Sequence, residues 1–261
     1  MRTDRTRTKE MEMSTDRTQR SEMEMSTYRT TAIVVGILFI ACSAATILSV
    51  APLGAPLSAP VDFAKLAANE SGVVLTALIE FVWAATGAGI AIALFPVLRK
   101  HNRAVALGSV AARTVSAVLV LVATLALLVL FSLSSEVVAA GSAGLPSADT
   151  LANLLLATRE WANGLLGPLA FALGAFMYYC LLYKARLIPR WLSGWGIVGI
   201  GLGVVATVYA GFTQDFGLAT VNTMLNIPIG LQEMVLAVWL IAKGFSTPAL
   251  ASVAATEEGA A

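Results

Sequence analysis

Six long apolar stretches, separated by shorter polar segments, follow one another along this chain. They cover residues 31–50, 72–98, 104–134, 161–183, 191–212 and 222–245. A helix needs about 20 apolar residues to cross the hydrocarbon core of a bilayer, and each stretch is long enough. Only helices and closed barrels satisfy their backbone polar groups in lipid. The pattern therefore predicts an all-α integral membrane protein, a bundle of six transmembrane helices.

The polar ends of the chain lack this pattern. Residues 1–28 contain EMEMSTDRT, repeated as EMEMSTYRT, and offer no apolar face to bury. We therefore expect a disordered N-terminal extension at 1–28, a transmembrane domain at 29–245 and a frayed tail at 246–261. In an alternative interpretation, Met25 is the true start and the repeat lies upstream of it.

Two segments of the chain need closer interpretation. The first apolar stretch could be a secretory signal that ends before a lipidated Cys42. Because the stretch stays apolar beyond this cysteine, a membrane span is the better interpretation. The helix leading into the fourth span should begin near Asp149, as its N-cap, and its first turns to about Trp161 should be interfacial.

Composition supports the membrane assignment and narrows the chemistry. Hydrophobic residues make up 57% and charged residues 13% of the chain, and the mean hydropathy is +0.79, outside the range of soluble domains. The partner this predicts is the lipid bilayer, and we expect no nucleic-acid partner. With one histidine and two cysteines in apolar stretches, the sequence predicts no metal site, disulfide framework or other cofactor.

The charges of the loops predict the orientation. Cytoplasmic loops carry an excess of Lys and Arg. Alternate loops hold Arg99, Lys100, Arg103, Lys184, Arg186 and Arg190. The opposite loops hold Lys65 against Asp62, Glu70, Glu136, Asp149 and Asp215. Both termini are therefore predicted to be cytoplasmic. The aromatic residues near these ends, Tyr178, Tyr179, Tyr183, Trp191, Trp195 and Trp239, fit an interfacial belt.

Two charged residues are predicted at mid-membrane depth. Counted from the cytoplasmic ends of their spans, Arg113 lies ~14 Å and Glu233 ~15 Å deep. Charges inside membranes are expensive and mark relays or substrate sites. Because the faces around both are lined by small residues, we predict that the third and sixth spans are neighbours and that the two side chains form an ion pair. Such a pair could also only tether the helices.

A second group of charges is predicted nearer the outer surface. Glu80 lies ~27 Å from the cytoplasmic end of its span, and Arg159 and Glu160 lie ~35 Å deep. At this depth water is close and long side chains reach it easily. This outer cluster is a weaker functional candidate than the deeper pair, and a structural pairing of Glu80 with Arg159 is the simpler interpretation.

Small residues recur at helical spacing on the last three spans. Gly167 and Gly174 share a face of the fourth span, Gly199 and Gly203 form a GxxxG pair on the fifth, and Gly230 shares a face with Glu233. Such faces allow close packing of helix backbones in lipid. They predict packing inside the bundle, and they could also hold a homo- or hetero-oligomer together.

Several motifs taken together resemble a known family. The segments LIPRWLSGWGIVG (187–199), LNIPIGLQEMVLAVWLIAKGF (225–245), YRTTAIVVGILFI and FPVLRKHNRAVALG are similar to the bacterial multi-pass family called domain of unknown function 4386. The resemblance covers about residues 28–245. It implies a protein of the bacterial cytoplasmic membrane, and it implies no reaction, ligand or catalytic residue.

The molecular function therefore stays open from sequence. The first alternative is a small-solute or proton-coupled transporter, supported by Glu233 beside Gln232 and by Pro228 in the same span. The hydropathy pattern shows no inverted repeat, which weakens this alternative. The second is a non-catalytic partner or regulatory subunit that binds through the glycine faces. A membrane-embedded enzyme is disfavoured, because no catalytic Ser/His or Cys/His set and no phosphate-binding loop is present.

Overall fold

The computed structural model describes residues 2–49, 51–53, 57, 59–141, 147–214, 216 and 220–246. The regular elements in these ranges are helices. They are α1 (Arg2–Leu48), a short 3-10 helix (Ala51–Leu53), α2 (Phe63–Ala68), α3 (Glu70–Leu98), α4 (Arg103–Ala140), α5 (Ala148–Trp161), a π-helix (Ala162–Leu166), α6 (Gly167–Lys184), α7 (Arg190–Thr213) and α8 (Thr220–Ala242).

Six of these helical segments are long and apolar enough to cross a membrane. They are Met25–Leu48, Glu70–Leu98, Arg103–Ala140, Ala148–Lys184, Arg190–Thr213 and Met224–Ala242. The protein is thus all-helical with six candidate membrane spans, as the hydropathy pattern predicts. The cytoplasmic position of the termini stays a prediction.

Some predicted boundaries differ from the observed ones. The third stretch, predicted to end at residue 134, continues as helix to Ala140, since residues 135–140 contain no glycine or proline; residues 142–146 lie outside the described ranges. The predicted N-cap at Asp149 is wrong: Ser147 occupies the cap position, and its side chain makes no capping hydrogen bond. The fourth span is one long run, α5–π–α6, and its first turns pack on α4.

The N-terminal end of the chain differs in backbone conformation from the prediction. The backbone of residues 2–24, where the sequence predicts disorder, is helical and continuous with α1. Whether this segment packs against the bundle stays a prediction. In α1 the helix passes through Cys42, which is buried, and ends at Leu48. Of the predicted tail, residues 247–261 lie outside the described ranges.

Two helices begin at a residue whose side chain caps the first turn. The side-chain oxygen of Asn102 accepts a hydrogen bond from the backbone N–H of Val105 at 3.0 Å, which starts α4 directly after the basic turn. Asp62 starts α2 in the same way, accepting from the N–H of Lys65 at 2.9 Å.

The spanning helices form a closed ring in chain order. α1 packs on α3, α3 on α4, α4 on α6, α6 on α7, α7 on α8, and α8 packs back on α1. Their shared core includes buried side chains from around the ring, among them Phe39, Leu94, Tyr178, Leu192 and Leu236. In this order α4 and α8 lie opposite each other, separated by two helices in either direction.

A separate apolar cluster closes the end of the ring at which α2 and α5 lie. It contains Leu66, Val73, Leu127, Leu130 and Leu156 from α2, α3, α4 and α5. This cluster holds the short helix α2 and the first turns of α5 against the two spanning helices α3 and α4. It thereby positions the charged residues of α5 beside α3.

Candidate functional site

One ion pair joins the predicted outer cluster. Glu80 on α3 is buried, and Arg159 in the last turn of α5 is 18% exposed at its side chain. The Arg159 Nη2 contacts Glu80 Oε1 directly, and Nη1 donates to Glu80 Oε2 at 3.2 Å. The third predicted member, Glu160, is exposed and takes no part in this pair.

Hydrogen bonds from α4 complete the surroundings of this pair. The Thr124 hydroxyl donates to Glu80 Oε2 at 2.7 Å, and Arg159 Nη1 also donates to the carbonyl oxygen of Ala123 at 2.9 Å. The buried carboxylate of Glu80 therefore has a cation and a hydroxyl donor. A carboxylate satisfied in this way tethers α3, α4 and α5, and the geometry favours the structural interpretation of the pair.

Arg113 lies inside the ring, on α4, and is only 2% exposed. Its Nε donates to the carbonyl oxygen of Gly87 on α3 at 3.0 Å. The guanidinium carbon lies 4.3 Å from the centre of the Phe171 ring on α6, a cation–π distance. Glycine at 174 makes room for the stem, because a Cβ there would lie 2.8 Å from Arg113 Cγ. The arginine is thus fixed from both sides.

The predicted ion pair of Arg113 with Glu233 is not formed. Among the described residues, the salt bridge within 4.0 Å is Glu80–Arg159. The predicted neighbourhood of the third and sixth spans is also wrong, because α8 packs mainly on α7 and α1. Equal depth and small surrounding residues could not reveal that the ring places these two helices on opposite sides.

Arg113 and Glu233 nevertheless act on common groups. The thiol of Cys42 on α1 and the phenol of Tyr178 on α6 are each within electrostatic range of both charges. Cys42 is buried and Tyr178 is 0% exposed. The two charges therefore belong to one polar layer of the ring interior, the guanidinium fully buried and the carboxylate of Glu233 half-buried.

Two fully buried residues of this layer form a hydrogen-bonded link. The Tyr179 hydroxyl on α6 donates to Gln232 Oε1 on α8 at 2.6 Å. Gln232 Nε2 donates in turn to the carbonyl oxygen of Leu192 on α7 at 3.1 Å. The link therefore joins three helices directly beside Glu233.

Assigning the two adjacent tyrosines to an interfacial belt was wrong. Tyr178 and Tyr179 are fully buried, with ring centroids 4.6 Å apart. The hydroxyl oxygens of Tyr178 and of buried Ser109 have no hydrogen-bond partner among the described residues. The sequence signal that could have found them is the small residue on the facing helix: a Cβ at Gly196 would lie 2.6 Å from the Tyr179 ring.

The glycine faces are occupied within the chain. A Cβ at Gly199 would lie 3.1 Å from Ile229 Cβ, and one at Gly203 would lie 3.2 Å from Asn226 Oδ1, both on α8. The GxxxG pair thus packs α7 against α8. By contrast, Gly201 and Gly230 would direct a Cβ into open space.

The chemical groups of the polar layer determine what it can bind. It contains one permanent cation, one carboxylate, a thiol, two phenols and an amide. Among the described residues no group of three or more His, Cys, Asp or Glu side chains could hold a metal ion. A carboxylate without an ion-pair partner can bind and release a proton or a cation, and the fixed guanidinium opposite it can oppose or attract charge.

Comparison with known proteins gives a family and no relative of known activity. No curated protein and no solved structure matches the chain. A family model described as "Domain of unknown function (DUF4386)" matches residues 34–244, which include all six spans in part or in full. This chain, with its ring of six apolar helices, is a member of the DUF4386 family.

Proposed function

We propose that this protein is a transporter of small solutes, coupled to protons, whose binding site is the polar layer inside the ring. The observation that carries the proposal is the carboxylate of Glu233: it is half-buried at mid-span and has no ion-pair partner within 4.0 Å among the described residues. Because a carboxylate inside a membrane is energetically costly, one that is present there is a functional candidate. Coupled transport requires such a group, which alternates between a charged and a neutral form.

The setting of Arg113 supports this assignment. Arginine stays charged at any relevant pH; the Nε of Arg113 donates to the Gly87 carbonyl oxygen, and its guanidinium lies over the Phe171 ring. A fixed positive charge across the interior makes the layer electrically responsive to whether Glu233 is protonated. A proton taken up by Glu233 would change the charge that a solute in the layer meets.

The alternative role, a non-catalytic partner or regulatory subunit, receives less support. It relied on glycine faces that bind another membrane protein. Gly174, Gly196, Gly199 and Gly203 instead contact side chains of this chain. The partner role would have to use the remaining open positions, Gly201 and Gly230.

The location proposed with this function is the bacterial cytoplasmic membrane, with both termini in the cytoplasm. The support is the loop-charge asymmetry, with Arg99 and Lys100 on one side and Asp62 and Glu70 on the other. The family resemblance points to the same membrane.

The test is solute flux through purified protein in sealed proteoliposomes under an imposed pH gradient. A strain lacking the gene, screened for growth on and tolerance to sugars, amino acids and organic ions, selects the solutes to test. We expect gradient-driven uptake of at least one solute, with a matching movement of protons reported by a pH-sensitive dye inside the vesicles.

Two charge-removing variants give the matched comparison. Glu233→Gln should abolish coupling, because it removes the titrating group, whereas Glu160→Gln removes an exposed carboxylate outside the ring and should leave flux unchanged. Uptake that is equal in the wild type and in Glu233→Gln would contradict the proposal, and so would the absence of flux across the whole panel.

A further inference from the structure

The contact between α1 and α8 is tight at one end only. Near Lys243, the Arg29 Nη2 donates to the carbonyl oxygen of Ile241 at 2.7 Å. One turn further, a Cβ at Gly36 would lie only 2.8 Å from the carbonyl oxygen of Ala237. The backbones of the two helices are therefore in direct contact over this part of the seam.

The seam is open nearer the Thr220 end of α8. A Cβ at Gly230, two turns from Ala237, would meet nothing within 4 Å. The close contact of α8 with α1 at Ala237 is therefore not continued at Gly230. Glu233 lies in that interval, at the closed end of the opening.

The face of α8 that lines the opening is polar. Asn222, Asn226, Gly230 and Glu233 follow one another at spacings of four, four and three residues, which places them on one side of a helix. Asn226 and Gly230 are exposed. The Asn226 Oδ1 lies next to Gly203 of α7, so at this level the polar side of α8 also borders α7.

Hydrocarbon is a poor occupant for this opening. The two amides and one carboxylate would each lose hydrogen bonds in contact with acyl chains, at a cost of several kcal/mol. Asn226 does donate to the carbonyl and side-chain oxygens of Asn222 at 2.9 and 2.8 Å, but no described residue donates a hydrogen bond to the Glu233 carboxylate. Water reaching in from the Thr220 end can supply donors.

The charges at the closed end should make the opening selective for cations over anions. Glu233 is half-buried, whereas Arg113 is only 2% exposed and its guanidinium is covered by Gly87 and Phe171. The charge that an entering solute meets is therefore negative. Cations and protons should enter more readily than anions.

We propose that the seam between α1 and α8 is a water-filled crevice, which leads from the membrane surface at the Thr220 end to Glu233 and admits small cations and protons. This inference deepens the proposed transport function, since it assigns the entry route and its charge preference. It is tested by chemical accessibility and not by flux, so that either can fail without the other.

The experiment measures thiol modification in membranes. In a background with Cys42→Ala and Cys180→Ala, cysteine is placed at Asn226 and at Gly230, and each variant is checked for folding by gel filtration. The reagents are two membrane-impermeant methanethiosulfonates, one with a trimethylammonium and one with a sulfonate headgroup. Both intact cells and inverted vesicles are labelled, because each exposes one membrane surface.

The chain offers matched controls one residue away. Ile227→Cys and Leu231→Cys change side chains that are 50% and 56% exposed and lie one residue on from the polar face of the helix. We expect rapid modification at 226 and 230 from one membrane side, and little at 227 and 231. The cationic reagent should be favoured by about tenfold over its ratio on a free thiol, the effect of one nearby charge, and Glu233→Gln should remove this preference.

Three outcomes would overturn the inference. If positions 226 and 230 react as slowly as 227 and 231, the face is in contact with lipid. If they react only after extraction into detergent, a partner, such as a second copy of this chain, covers the seam in the membrane. If the cationic preference is absent, or persists in Glu233→Gln, the assigned charge selectivity is wrong.

Discussion

The side chain of Tyr179 on α6 reaches across α7 to donate a hydrogen bond of 2.6 Å to Gln232 on α8. The ring passes over Gly196, where any side chain would collide with it, since a Cβ would lie 2.6 Å away. The missing side chain on α7 is therefore what allows a bond between two helices that are not neighbours in the ring.

Removing this hydroxyl should destabilise the bundle. Tyr179→Phe leaves the buried Gln232 Oε1 without its donor, which should lower the free energy of unfolding by about 1–2 kcal/mol. The measurement is unfolding of the detergent-solubilised protein followed by circular dichroism.

The adjacent tyrosine is the control for this prediction. The hydroxyl of Tyr178 is equally buried but has no hydrogen-bond partner among the described residues, so Tyr178→Phe should be neutral or slightly stabilising. Equal losses in the two variants would mean that the Tyr179–Gln232 bond contributes nothing specific.

Adding a methyl group at Gly196 should be costly. Gly196→Ala forces the Tyr179 ring to move, and overpacking of this kind costs about 1–3 kcal/mol. Gly201→Ala, on the same helix but with open space around its Cβ, should be neutral or stabilising because alanine favours the helix. Thermal unfolding of both variants checks this, and a Gly196→Ala protein as stable as the wild type would show that the contact can relax.

Breaking the ion pair of Glu80 with Arg159 should destabilise the end of the bundle that holds α2 and α5. Arg159→Ala leaves a buried carboxylate, and the expected loss is about 3 kcal/mol, the lower end for buried pairs because Arg159 is partly exposed. Adding Glu80→Gln to that variant should recover part of the loss, since no charge is then left buried. Strictly additive losses in the double variant would exclude a direct energetic coupling.

The orientation of the chain is a separate prediction. Fusions of a cytoplasm-active reporter in the basic turn around Lys100, and of a periplasm-active reporter after Asp62, should both be active if the termini are cytoplasmic. Activity of the opposite reporter at each site would reverse the topology. It would also exchange the membrane side from which the proposed crevice opens.

The class of protein and the positions of its spans follow from hydrophobicity along the chain. Hydrophobicity over some 20 residues is a local property, and the solvent it selects does not depend on which helices are neighbours. For this reason the fifth span, predicted at 191–212, is found at Arg190–Thr213, and the family was recognisable from short motifs.

Which side chains meet depends on how the helices pack together. Depth along a helix is readable from the chain, and Glu80 and Arg159 prove to be in contact. Arg113 and Glu233, whose predicted depths match more closely than those of Glu80 and Arg159, prove to lie on helices at opposite sides of the ring. Depth fixes one coordinate, whereas contact also requires the order of helices around the ring and the rotation of each about its axis. In lipid, these are set by close packing of small faces such as Gly174 against Arg113 and Gly196 against Tyr179, which no single helix encodes alone.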